Sequence, residues 1–103
     1  MSLDITILDD TGYPTVNVAV APERHIELME QARSLSLPLL SRMWDYYADV
    51  DYTPQEAVPL RSEADRLAAQ CSGSPELCGL IERLQSLTHL AARDGKQVVA
   101  IAD

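Results

Sequence analysis

Trp44, Tyr46, Tyr47 and Tyr52 are four of the five aromatic residues in the sequence, and they share nine positions with Asp45, Asp49 and Asp51. Rings interleaved with like charges have the chemistry of a gripping surface, because aromatic side chains supply anchoring area and carboxylates steer a partner of opposite charge. No Lys or Arg occurs between Met43 and Leu60, so nothing inside the run neutralises it. Asp45 and Asp49 are spaced i, i+4 and would share a helix face, where their repulsion costs about a few tenths of a kcal/mol. Asp45, Tyr46, Asp49, Asp51 and Tyr52 are therefore the expected partner-binding residues. Leu40, Met43 and Tyr47 step by three and four, a stripe expected to face the core.

The remaining reactive side chains have weaker patterns. Cys71 and Cys78 enclose six residues, among them Ser72, Gly73, Ser74 and Pro75. A disulfide there would clamp a helix hairpin, whereas two reduced, packed thiols are the expectation for an intracellular chain. A zinc site would need two further ligands that no spacing supplies. His25 and His89 stand in no metal-ligand or triad-like pattern. No serine lies in a G-x-S-x-G setting, and the four glycines, at positions 12, 73, 79 and 95, are scattered rather than gathered into a phosphate loop. Asp9 and Asp10 are adjacent carboxylates without a third at a fixed offset, so hairpin-tip solvation is preferred over cation binding. No catalytic, cofactor or metal residue is assigned, and an enzyme is not expected.

Period and punctuation define the elements that must position these residues. Leu3, Ile5 and Ile7 alternate with Asp4 and Thr6, and Val16, Val18 and Val20 alternate again beyond the turn-forming residues 9–14, which predicts a β-hairpin over roughly residues 3–21. Leu3, at the very start, is not counted on for the core. Pro22 and Glu23 suit the first turn of a helix with Ile26, Met29 and Arg33 along one side and Leu28 and Ala32 flanking. Ser36 is placed to cap a second helix that carries Pro38 in its first turn and runs through Tyr47. Thr53 to Glu56 is a T-x-x-E capping box, with Pro59 requiring a single opening turn or a kink before the helix whose apolar face is Leu60, Ala64, Leu67, Ala68 and Cys71. Ser74 and Pro75 start a long helix striped by Leu77, Ile81, Leu84, Thr88 and Ala91 and stopped by Gly95. Val98 to Ala102 read as a terminal strand whose apolar character requires a place in the hairpin's sheet.

The expected fold is thus α+β: a small antiparallel-containing sheet, made of the N-terminal hairpin plus the C-terminal strand, covered on one face by three to four helices, in a single domain spanning residues 1–103. At 103 residues, one core is possible and two are not. Charged residues make up 23% and hydrophobic ones 47% of the chain, the balance of a folded soluble protein rather than a disordered one. No basic-then-apolar leader and no membrane-length apolar run is visible, so a cytoplasmic location is expected. Sixteen acidic residues against eight Lys and Arg give a formal charge of −8, which disfavours direct contact with nucleic acid or an anionic membrane and favours a basic protein partner. The leading functional expectation is a non-enzymatic acidic binding protein, of the inhibitor or immunity type, that neutralises a basic partner such as a nuclease toxin. Its carboxylates would mimic phosphates while Tyr46 and Tyr52 fill apolar pockets. A structural or homodimeric adaptor subunit, and a small enzyme drawing on Asp9, Asp10 or His25, are the alternatives.

Overall fold

A computed structural model describes residues 2–102. Strands β1 (Leu3–Leu8) and β2 (Pro14–Val20) form the hairpin, followed by α1 (Pro22–Ser34), a one-turn α2 (Pro38–Ser41), β3 (Val50–Tyr52), α3 (Ala57–Ala69), α4 (Pro75–Asp94) and β4 (Gln97–Ala102). The sheet is antiparallel throughout, in the order β2-β1-β4-β3. The C-terminal strand therefore joins the hairpin's sheet as expected, pairing Ile5 with Ala100 and Ile7 with Val98. The three-residue β3, too short to show a period and not expected as a strand, closes the far edge against Val98–Ala100.

The alternation predicted for the strands decides which face is covered. Leu3, Ile5, Ile7, Val18, Val20, Val98 and Ala100 are buried together with the apolar stripes of the helices. Leu3 is fully buried and opens the core rather than standing outside it. At the hairpin tip, Oδ1 of Asp9 accepts hydrogen bonds from the N–H of Thr11 and Tyr13 and from the Thr11 hydroxyl, while Gly12 takes a φ of 88° that a side chain would strain. The Thr11 hydroxyl bond is the main reason the Asp9 carboxyl is held below the usual carboxylate range. Asp10 is paired with Lys96. Both carboxylates thus have structural partners at the tip.

The helix boundaries divide into those set locally and those set at a distance. Thr53 and Glu56 form the predicted capping box around a 3-10 turn, after which Pro59 lies in the first turn of α3, where its missing N–H breaks no helical bond. Ser74 caps α4 through the N–H of Leu77, and Gly95 ends it in the left-handed conformation. Ser36, by contrast, does not cap α2. It takes a φ of 56° and closes α1, with its N–H bonded to the Arg33 carbonyl and that of Leu37 to the Ala32 carbonyl, a Schellman ending built on serine. The start of α2 is capped from elsewhere: the buried Glu63 of α3 accepts the N–H groups of Leu39 and Leu40 at 3.0 and 2.8 Å.

Cys71 and Cys78 form a disulfide, which corrects the expectation of reduced thiols. The loop of Ser72 to Ser74 folds α4 back along α3 and brings the two Cα atoms to 5.9 Å, within the span a disulfide requires. Neither the usual burial of cysteine nor a reducing compartment, the grounds for expecting thiols, encodes this approach. No helix among the described residues is long and apolar enough to cross a membrane.

Candidate docking groove

The acidic aromatic run is not one helix face. After α2 the chain makes a 3-10 turn over Arg42–Trp44, and Asp45 then adopts extended backbone with φ −91° and ψ 109°. The Asp45 side chain accounts for the break: its Oδ1 accepts the N–H of Tyr47 at 2.9 Å, the local alternative to a helix that short polar side chains offer. The i, i+4 relation of Asp45 and Asp49 is consequently lost. Asp49 lies further on and accepts the N–H of Ala102, holding the end of β4. Asp51, in β3, pairs with Val99 on the sheet face away from the helices, opposite in direction to the buried Tyr52.

The rings divide differently from the expectation as well. Tyr52 is fully buried, with its hydroxyl donating to the Leu39 carbonyl at 2.6 Å and Arg42 over its ring at 5.6 Å. Tyr46 is 9% exposed, and its hydroxyl donates to the Val20 carbonyl at 2.8 Å. Neither ring is presented to a partner; both staple the segment to the sheet and to α2. Burial accordingly pushes both phenols above their ordinary pKa, with Arg42 opposing the shift at Tyr52. Tyr47, placed by its spacing in the core stripe, is instead 69% exposed, and Trp44 is 70% exposed. Leu40 and Met43 keep their core positions.

Trp44 and Tyr47 border a groove of about 420 Å³ whose opposite wall is α1, which contributes Ile26, Met29, Glu30 and Arg33. Ile26 is 59% exposed, because the buried face of α1 is His25, Leu28 and Ala32 rather than the Ile26, Met29, Arg33 side. The floor is fixed by polar bonds: His25 Nε2 faces the Met43 carbonyl at 2.5 Å and so donates to it. The imidazole meets Tyr46 edge-on at 4.9 Å, and Tyr46 meets Tyr47 at right angles at 5.6 Å. His25 is therefore a buried strut between α1 and the turn.

Comparisons with known proteins return no match: no protein-family model fits the sequence, and no curated protein or solved structure is detectably similar to it. The groove brings Asp45 and Tyr46 of the expected residues together with Ile26, Trp44 and Tyr47, and separates them from Asp51 and Tyr52. Asp45-x-Tyr47 was the available signal, since an aspartate that bonds two residues ahead ends a helix and turns the following ring outward.

Proposed function

We propose that this chain is a non-enzymatic binding protein that docks a basic protein partner on the groove between α1 and the Trp44–Tyr47 turn. The observation that carries the reading is the convergence of three large, mostly exposed apolar side chains, Ile26, Trp44 and Tyr47, on one concave surface over a hydrogen-bonded floor. Aromatic anchors on a preorganised floor are the usual source of binding energy at protein interfaces. Glu30 and Asp45 line the same groove as Arg33, and the chain as a whole carries −8, so a cationic partner is drawn in over a longer range than the rings act. Occlusion of a basic active surface, the inhibitor or immunity-type role, fits this arrangement. The Cys71–Cys78 disulfide weighs against the cytoplasmic expectation, because such a bond is most persistent where the surroundings are oxidising.

The test is quantitative capture from the source cells with three baits: the intact chain, a Trp44→Ala/Tyr47→Ala pair, and Tyr13→Ala, which removes an equally exposed ring at the hairpin tip. The expected result is a basic protein retained by the first and third baits and lost from the second by a factor of about thirty, the equivalent of one 2 kcal/mol anchor. Retention by all three baits alike would refute the groove. A homodimeric adaptor would instead bury the same three side chains symmetrically, and would show itself as a mass that doubles with concentration and reverts in the Trp44→Ala/Tyr47→Ala pair.

A further inference from the structure

A second concave site lies between α3 and α4, with no lining residue in common with the docking groove. It encloses about 680 Å³ and is lined by Arg61, Gln85, Ser86, His89, Leu90 and Arg93. Among the described residues two guanidinium groups and an imidazole line it and no carboxylate does, on a chain whose acidic residues outnumber Lys and Arg two to one. The charges around it are unequally engaged. Oδ1 of Asp65 accepts from His89 Nε2 at 2.7 Å and from the Gln85 amide at 2.8 Å, so this carboxylate is committed to orienting the groove wall. Among the described residues Arg93 is paired only with its chain neighbour Asp94, both side chains well exposed, and such a pair contributes little in water. Asp94 in turn feels Lys96 as well as Arg93. Arg61 makes no hydrogen bond or close ion pair among the described residues, and acts on Asp65 only through its charge at longer range.

We infer that this groove is a binding site for a phosphoryl group borne by a small organic molecule. The planar forks of Arg61 and Arg93, both of which line the groove, match tetrahedral oxyanions. Ser86 adds a hydroxyl donor. Two guanidinium forks and a hydroxyl offer more donors than the two oxygens of a carboxylate use well, whereas a phosphoryl group presents three oxygens and nearly two charges. Leu90 supplies an apolar patch for the organic part. The Asp65–His89 and Asp65–Gln85 bonds hold the wall in place before any ligand arrives.

Phenyl phosphate, titrated at fixed ionic strength into the isotope-labelled chain and followed by amide and side-chain NMR, tests this directly. The expected result is a saturable response confined to α3, α4 and the His89 ring, weakened about tenfold by Arg61→Gln and by Arg93→Gln, as loss of a charge-assisted hydrogen bond requires. Arg83→Gln, elsewhere on α4, should leave the affinity unchanged, and benzoate should bind more weakly than phenyl phosphate. The spectrum of each variant reports its fold at the same time. A response spread over all the arginines, equal weakening by Arg83→Gln, an unchanged affinity in Arg61→Gln, or benzoate binding as tightly as phenyl phosphate would overturn the assignment.

Discussion

Glu63 illustrates how one side chain can do what the local sequence does not. The segment before α2 offers Ser36 as a cap, but that serine is spent on ending α1 in a left-handed turn, and a carboxylate from α3 takes up the otherwise unbonded N–H groups of Leu39 and Leu40. Burying this charge is tolerable because both bonds are charge-assisted. Tyr52 and Tyr46 play the matching role for carbonyl groups, at Leu39 and Val20. Their raised pKa values have a testable consequence. Near neutral pH the folded and unfolded chains both hold the phenol protons; as the pH rises above about 10 the unfolded chain releases them and the folded chain keeps them, so stability falls. For Tyr52, whose phenol is held protonated by burial, the loss should grow steadily as the pH climbs past that point. Urea midpoints measured near pH 8 and near pH 11 should show the decline, and Tyr52→Phe should reduce it. An undiminished decline in Tyr52→Phe would mean that the buried hydroxyl is not its source.

At the scale of elements, the sequence was most legible where the signals are local. The hairpin, the Thr53 capping box, the Ser74 cap, the Gly95 stop and the sheet membership of β4 all follow from residues within a few positions of each other or from a plain period of two. It was least legible from Ser36 to Tyr52, where boundaries depend on partners far along the chain. The helix expected through Tyr47 stops at Trp44 because Asp45 binds the backbone ahead of it, and the face of α1 is chosen by His25 reaching the Met43 carbonyl, a bond no periodicity encodes. Of the five expected binding residues, the two tyrosines are core staples for the same reason: their hydroxyls find carbonyl groups 13 and 26 residues away. The disulfide is also a product of tertiary approach, since it depends on how tightly α4 folds back on α3. Replacing both Cys71 and Cys78 by Ser should lower stability by about 2.5 kcal/mol, the loop-closure value for so short a loop, and the melting temperature by about 10 °C. A double variant that melts with the intact chain would show that helix packing alone fixes the α3–α4 corner.

For the whole molecule, the organising fact is a division of labour across the fold. The sheet and the long α3–α4 pair supply the rigid body, and the irregular segment between α2 and β3 is pinned to it by Tyr46, Tyr52, Glu63 and His25 while its remaining rings face outward. Preorganisation of this kind lowers the ordering cost of association, so a modest groove can support a specific complex. Net charge adds reach rather than hold, and should appear in the association rate and its salt dependence more than in the lifetime of the complex. Trp44 is the single tryptophan of the chain and sits on the rim of the groove, so its fluorescence reports the proposed contact with no label. In the free protein, its emission should be that of a water-exposed indole, readily quenched by acrylamide. Addition of the captured basic partner, itself prepared in a tryptophan-free form, should shift the emission to shorter wavelength and shield it from the quencher in step with complex formation. A complex that forms while Trp44 remains as quenchable as in the free chain would contradict docking on this groove.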